Sequence, residues 1–425
     1  MKFRLLLSLL AFTIGASRVP TASAASIPHA PATRVPTSFA HTQGTAIIGR
    51  DGKPLLLRGT NLGNWLVPEG YMFQLDGAVQ SSQEIESFFT ELIGPTRNRD
   101  FWRTWRATYV TREDIHLLHQ AGFNSIRVPF HYKYFLADDG EGFRLLDRLV
   151  SWARAEDMYL ILDMHAAPGG QTGTNIDDSN GYPWLFNDPE SQQQFLDVWQ
   201  RVARHYAREP VILGYDLLNE PIPHFSTLQP LNPLLEPLYK RAVAVIRHQD
   251  PNHILILGGA QWDTNFTIFG PALDPNLIYE WHKYLGGTPD QKIVQPYVDF
   301  RQKHNAPVWL GEAGENTDAW IAGFRSALEA NDMGWAFWPY KKLATTSAVV
   351  TVTPPEGWAQ IVAYSKLLNG SGRSGDRLPS RPSQAVIDHA FAGLLENIQV
   401  AHCTVNLGYL RALLPSITLD STPSN

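Results

Sequence analysis

Eight short runs along the chain are nearly continuous in apolar residues: 54–60, 124–129, 159–165, 212–219, 253–259, 277–282, 307–312 and 334–338. They do not alternate polar with apolar, as expected of parallel strands buried on both faces. Stretches of helical spacing lie between them. Thr111 with Asp114 predicts a capping box, Ile115, Leu118 and Ala121 the buried stripe behind it, and Gly122 the stop. Phe195, Val198, Trp199, Val202 and Tyr206 keep the same spacing, as do Leu235, Leu238, Ala242, Val245 and Ile246. Strand and helix alternating in this way predict an α/β fold, a (β/α)8 TIM barrel. A doubly wound open sheet is the structural competitor.

In such a barrel the loops beyond the strand C-termini carry the chemistry, so what each run ends on matters. Arg127 and His165 close the second and third, and Asn219 with Glu220 the fourth, where Pro221 stops the ladder. His282 and then Tyr284 end the sixth, Glu312 the seventh and Trp338 the eighth. A single buried histidine bonded to a carbonyl is ordinary, and a lone strand-end acid often caps a strand or pairs with an arginine. Polar or aromatic groups at one end of six strands are more economically a clustered site. Two glutamates there are what glycosidic bond cleavage uses, one to donate a proton and one to attack carbon. Retention takes carboxyls about 5–5.5 Å apart and inversion about 6.5–9.5 Å. Arg127 beside one carboxylate would keep it ionised, with Tyr284 bonding the same group. Asn219 is placed for a sugar hydroxyl, His165 and His282 for ordering the acid or binding hydroxyls, and Trp338 for an apolar floor.

Composition narrows the setting. Residues 1–24 predict a signal peptide: Lys2 and Arg4, an apolar run too short to span a bilayer, then Ala22-Ser23-Ala24. Residues 25–44, rich in Pro, Ala, Ser and Thr, predict a linker, and 45–425 a single catalytic domain. Loss of the leader leaves 32 basic against 41 acidic residues, a body without polybasic clusters. That balance gives no footprint for nucleic acid or anionic membranes. A secreted protein, extracellular or periplasmic, is expected, monomeric and without stable membrane association. The single cysteine, Cys403, forms no internal disulfide and is expected to be a small buried hydrophobe. No zinc spacing, EF-hand loop or phosphate-binding glycine loop is present, so neither a cofactor nor a metal is expected.

The strand-end set resembles glycoside hydrolase family 5, which contains cellulases and fungal exo-β-1,3-glucanases. The matching features are Asn219-Glu220-Pro221, Arg127 in Ser-Ile-Arg-Val-Pro, His165 in Asp-Met-His-Ala-Ala-Pro-Gly, His282-Lys283-Tyr284, Glu312 in Leu-Gly-Glu, and Trp338. They run from about residue 56 to 368. The resemblance implies Glu220 as acid/base, Glu312 as nucleophile and net retention on a β-glucan or oligosaccharide. Residues 61–69 and 166–173 are similar to the exo-glucanase branch, which implies that Glu69 binds the terminal glucose; Asn64 stands where that branch usually has Gly. Glucosyl lipids or aryl glucosides are alternative substrates, and a non-catalytic sugar-binding barrel is the rival of another class.

The long loops add walls. Residues 71–105 are expected to carry helices of their own beside the cleft, with 175–180 and 182–184 on the rim. Trp184 and Trp262 are candidates for stacking beyond the cleaved bond, against ordinary packing. Asn175, Asp177 and Asp178 lack calcium-loop spacing and are expected to be solvated. Val386, Phe391, Leu394 and Leu395 predict a short C-terminal helical extension packed on the barrel.

Overall fold

Eight of the ten strands up to residue 337 close into one ring. In chain order they are β1 His41–Gln43, β2 Ala46–Ile48, β3 Arg58–Asn61, β4 Ser125–His131, β5 Tyr159–Ala166, β6 Ile212–Asp216, β7 Ile254–Gly258, β8 Leu277–Lys283, β9 Val308–Ala313 and β10 Trp335–Phe337. Strands β3 to β10 pair in sequence order, all parallel, and β10 closes on β3. The computed structural model describes residues 39–418 except 76, 78, 138–139, 175, 179–180, 285 and 370–373. The leader and most of the linker stretch lie outside the described residues.

The barrel interior is built in two layers. Leu57, just ahead of β3, and Ile161, Leu213, Ile256, Ile278 and Trp309, from five strands, belong to one apolar cluster that fills the lower half and are all fully buried. Two residues further along, period-two geometry returns the same inward face, and on β5 and β8 an acid stands there. Asp163 and then His165 follow Ile161 on β5; Glu280 and then His282 follow Ile278 on β8. Arg127, Asp163, Asp216 and Glu280 are all completely buried. Burying charge is costly unless it is paired, so this layer exists for what stands on it.

The predicted strands are all present, with shifted ends. β6 stops at Asp216, so Leu217 to Glu220 lie beyond the ladder, although Leu217 N–H still reaches Ile256 O at 3.1 Å and Asn219 N–H reaches Met164 O at 3.1 Å. β4 continues two residues past Pro129, its register with β5 shifting after Phe130. Pro54 belongs to a different unit, bridging antiparallel to Ile48. Regular structure is already present ahead of residue 44, the expected end of the linker. β1 and β2 form an antiparallel hairpin through the left-handed Gly44, and Thr42 N–H donates to Asn276 Oδ1 at 2.8 Å. Three-residue strands are too short to leave a periodic signal.

The capping box at Thr111 is formed: Asp114 accepts the Thr111 backbone N–H at 2.7 Å and its hydroxyl at 2.8 Å. Asp114 is also a buried anchor for Lys341 Nζ at 2.5 Å, which the local motif did not foretell. The 71–105 insertion carries helices Ser82–Ile93 and Pro95–Thr108. The C-terminal extension packs on these inserted helices through Phe391, whose ring lies 4.8 Å from Phe89 and 5.2 Å from Phe101. It also supplies β13 (Thr404–Val405) to a small sheet with β11 (Lys341–Leu343) and β12 (Val350–Val352). Cys403 is half-buried, and burial pushes its thiol up to about 11. It is inert at neutral pH.

Candidate active site

Above the charged layer, at the C-terminal end of the strands, a cavity of about 300 Å³ is lined by both predicted glutamates, Glu220 and Glu312, with His165, Tyr284, Trp338 and Glu69. Arg127, Asn219 and His282 lie directly beneath. All nine residues singled out from the sequence therefore converge on one place.

Glu312, at the tip of β9, is the more tightly held of the pair. Oε1 accepts from Arg127 Nη1 at 2.5 Å and Oε2 from the Tyr284 hydroxyl at 2.8 Å. Burial alone would push its pKa up. The positive charges of His282, Arg127 and His165, together with the Tyr284 hydrogen bond, outweigh it and hold the carboxylate below its ordinary range. Arg127 also reaches Asn219 Oδ1 at 2.9 Å, Asp216 at 2.8 Å, Asp163 at 3.2 Å and Glu280 at 3.2 Å. Asp216 is pushed well above the usual carboxyl value by burial and by Glu280, with Arg127 opposing. Burial beside Glu280 thus favours the neutral form of Asp216, the guanidinium the ionised one.

Glu220 stands in a different environment. Its backbone is left-handed (φ 45°), with its N–H donated to Asp263 Oδ2 at 2.8 Å, and its side chain remains partly open to the cavity. Oε1 lies 2.9 Å from His282 Nδ1. One oxygen of Glu220, one nitrogen of His282 and one oxygen of Glu312 lie within 4.8 Å of one another. Three donors at that spacing suit a divalent cation in principle, but His282 faces carboxylates at both nitrogens, Glu280 lying 2.9 Å from Nε2. The Glu312 and Asp263 charges and the bonds to Glu220 and Glu280 overcome burial and raise its pKa well above normal. A ring protonated at both nitrogens has no lone pair for a metal.

Trp338 forms one wall, parallel to the His165 ring at 5.5 Å and 6°. Its indole passes so close to Gly63 that a Cβ there would lie 2.5 Å from the ring, so only glycine fits. Asn64, next along, is left-handed (φ 68°), a conformation asparagine tolerates, and its Oδ1 accepts the Glu69 N–H at 3.1 Å. The departure from glycine thus preserves the turn and ties it to Glu69. Glu69 is 3% exposed, and burial with the charges of Glu312, Glu315 and Glu220 raises its pKa well above normal.

Several site residues were not anticipated. Asp163 and Glu280 each precede a site histidine by two, at 2.8 Å from His165 Nδ1 and 2.9 Å from His282 Nε2. Reading the strands with period two would have found both. Tyr71 lines the cavity from a 3-10 turn (Gly70–Phe73) and Glu315 from a loop, and Asp263 supports Glu220 from the kinked turn Ala260–Asp263; these carried no periodic signal. Asp177 and Asp178 are not the solvated acids expected: Asp177 Oδ2 accepts the Gln171 and Thr172 N–H groups at 2.8 and 2.6 Å, and Asp178 bonds His131 at 2.9 Å. Asn175, Ser179 and Asn180 of that rim loop lie outside the described residues. Trp184 is half exposed on the rim and Trp262 packs edge-on to His224 and Phe225. Neither is among the residues lining the cavity.

Two carboxylates facing one cavity at the C-terminal mouth of a closed parallel barrel define the two-carboxylate class of glycoside-cleaving enzymes. The family model for cellulase, glycosyl hydrolase family 5, matches residues 82–343, and the chain belongs to that family. It is 30% identical over 271 residues to a β-xylosidase of Phanerodontia chrysosporium, which covers 61% of this chain and 55% of the relative. It is 26% identical over 303 residues to endoglucanase C of Acetivibrio thermocellus, with coverage of 56% and 85%. It is 29% identical over 277 residues to a probable glucan 1,3-β-glucosidase A of Emericella nidulans, with coverage of 60% and 66%. Among solved structures, rutinosidase from Aspergillus niger superposes with a TM-score of 0.57 at 18% identity, covering 69% of this chain and 92% of that one, a likeness of fold.

Proposed function

We propose that this protein is an exported, retaining β-glycosidase that removes single sugars from the ends of β-glucan chains or gluco-oligosaccharides, with Glu220 as acid/base and Glu312 as nucleophile and without a cofactor. The carrying observation is the approach of a Glu220 oxygen to within 4.8 Å of a Glu312 oxygen. That spacing leaves no room for a water between sugar and base, and fits the covalent route at about 5–5.5 Å rather than inversion. The electrostatics support the division of labour: the attacking group needs to be ionised, and Glu312 is the carboxyl surrounded by cations. The leader read at residues 1–24 supports export. Azide offers the first check. In Glu220→Ala, turnover of 4-nitrophenyl β-glucoside is expected to persist at a reduced rate, to rise with added azide and to give the β-glucosyl azide, while laminarin hydrolysis falls roughly 10²–10⁴-fold. An α-azide product would mean the roles or the stereochemistry are otherwise.

Action at chain ends rests on the cavity's closed side. Trp338 Nε1 donates to the Tyr71 hydroxyl at 2.7 Å, and Lys342 lies 4.2 Å over the Tyr71 ring while pairing with Glu315. These contacts join the loop after β3 to those after β9 and β10 and wall off one end beside Glu69. A cavity of about 300 Å³ sits at the bottom of the usual range for ligand sites. Product sizing on laminarin, lichenan and soluble cellulose is expected to give glucose from the first minutes with little loss of viscosity. Lys342→Ala with Glu315→Ala is expected to shift products toward disaccharides and longer fragments. Fragments without early glucose from the unaltered protein would instead mean an open cleft and internal cutting. Because one relative is named a β-xylosidase, the 4-nitrophenyl β-xyloside belongs beside the glucoside in the same assay.

A further inference from the structure

His282 is gripped from both ends. Nδ1 lies 2.9 Å from Glu220 Oε1, and Nε2 lies 2.9 Å from Glu280 Oε1 and 3.6 Å from Asp263 Oδ2. Glu312 Oε2 faces Nδ1 at 3.8 Å. The ring is 2% exposed, so these carboxylates, and not water, are its surroundings.

Both gripping acids are themselves fixed. Glu280 Oε1 also stands 3.2 Å from Arg127 Nε and fills the space over Gly311, where a Cβ would come within 1.5 Å of it. Asp263 ends a run of three left-handed residues, Gln261 (φ 55°), Trp262 (φ 55°) and Asp263 (φ 59°), and its carboxylate fills the space over Gly258. Non-glycine residues in that region cost energy and persist where the surroundings over-determine them. Here the strained turn delivers one carboxylate that holds the Glu220 backbone N–H at 2.8 Å and faces His282 Nε2.

We propose that Glu280 and Asp263 are positioning residues for the reaction: they hold Nε2 of His282 as a fixed donor, so the ring stays an imidazolium whose Nδ1–H is always presented to Glu220. This rests on the reading of Glu220 as acid/base. In the first step Glu220 gives its proton to the departing oxygen, and in the second it takes one back from water. Between those steps it is a carboxylate beside the Nδ1–H donor, which favours its release of the first proton. The same ring charge falls on Glu312, which must be ionised to attack. The groups facing the ring are Glu220, Glu280, Asp263 and Glu312, with Arg127 the nearest cation, behind Glu280.

The sign of a perturbation follows. Glu280→Gln removes one charge that keeps the ring protonated. A neutral ring no longer favours the carboxylate form of Glu312, which becomes easier to protonate. The acidic limb of the bell-shaped kcat/KM profile on an aryl glucoside is then expected to move to higher pH, by roughly half a unit or more. Glu280→Asp is expected to restore much of the original profile. The companion measurement is the ¹⁵N spectrum of the His282 ring in the unaltered protein, where both nitrogens are expected to stay protonated through pH 7. A ring already neutral at pH 6, or a Glu280→Gln enzyme whose rate falls equally at every pH with an unmoved acidic limb, would overturn the proposal. Should Glu280→Gln not fold, the ring spectrum of the unaltered protein still decides, a ring neutral at pH 6 overturning the proposal. The ring spectrum does not depend on turnover, whereas the acid/base assignment stands or falls on the azide result, so the two failures are distinguishable.

Discussion

Replacing Glu312 by Gln is expected to reduce kcat/KM on every substrate by on the order of 10⁴-fold or more, with Glu220→Ala the milder lesion on activated glycosides. The asymmetry is mechanistic. A good leaving group departs without a proton from Glu220, but no leaving group removes the need for an attacking carboxylate at carbon. The Gln side chain keeps the shape at the tip of β9 and can still meet the Tyr284 hydroxyl and Arg127. Because the fold holds Glu312 below its ordinary pKa, the ionised group stabilises that fold at neutral pH, and a modest fall in stability is expected on top of the loss of rate. Steady-state rates together with a thermal melt check both halves. An unaltered melt with rates within about tenfold of the parent would remove Glu312 from the chemistry.

Arg127→Met carries the second large effect, on folding as much as on rate. The guanidinium is completely buried and lies against Asp163, Asp216, Glu280 and Glu312 at 2.5 to 3.2 Å. Breaking a buried pair from one side leaves uncompensated charge and costs about 3–5 kcal/mol. The pH dependence has a definite direction. Without the cation the carboxyls take up protons more readily, and the deficit arises from their ionised forms. The loss should be greatest at pH 7.5 and shrink as pH falls toward 5 and the acids are neutralised. Urea midpoints of parent and variant at the two pH values measure it. An equal loss at both would mean that packing, not charge, is what Arg127 contributes.

The sequence was most readable where a residue type and a strand end coincide. Glu220, Glu312, His165, His282, Tyr284 and Trp338 were found because a hydrophobic run stops on a group that cannot be left in a core. The barrel was legible for the same reason, since strands buried on both faces leave unbroken apolar runs. Asp163 and Glu280 lie inside those runs, away from the strand ends, although period two places them directly below the histidines they hold. Asp263 and Glu315 reach the site through left-handed backbone on loops, which depends on tertiary contacts and leaves no pattern in composition. For Trp262 and Trp184 the sequence left stacking and packing open, since an aromatic on a rim loop is equally at home packing on its neighbours. The β1–β2 hairpin escaped because three residues per strand are fewer than any periodicity needs.

That hairpin has a practical corollary. Through Thr42 and Asn276 it is stitched to the floor of the barrel, where the strands begin, while substrate arrives at the roof, where they end. A tether or solid support attached just ahead of residue 39 would therefore leave the mouth pointing away from the surface, free to meet polymer too large to diffuse underneath.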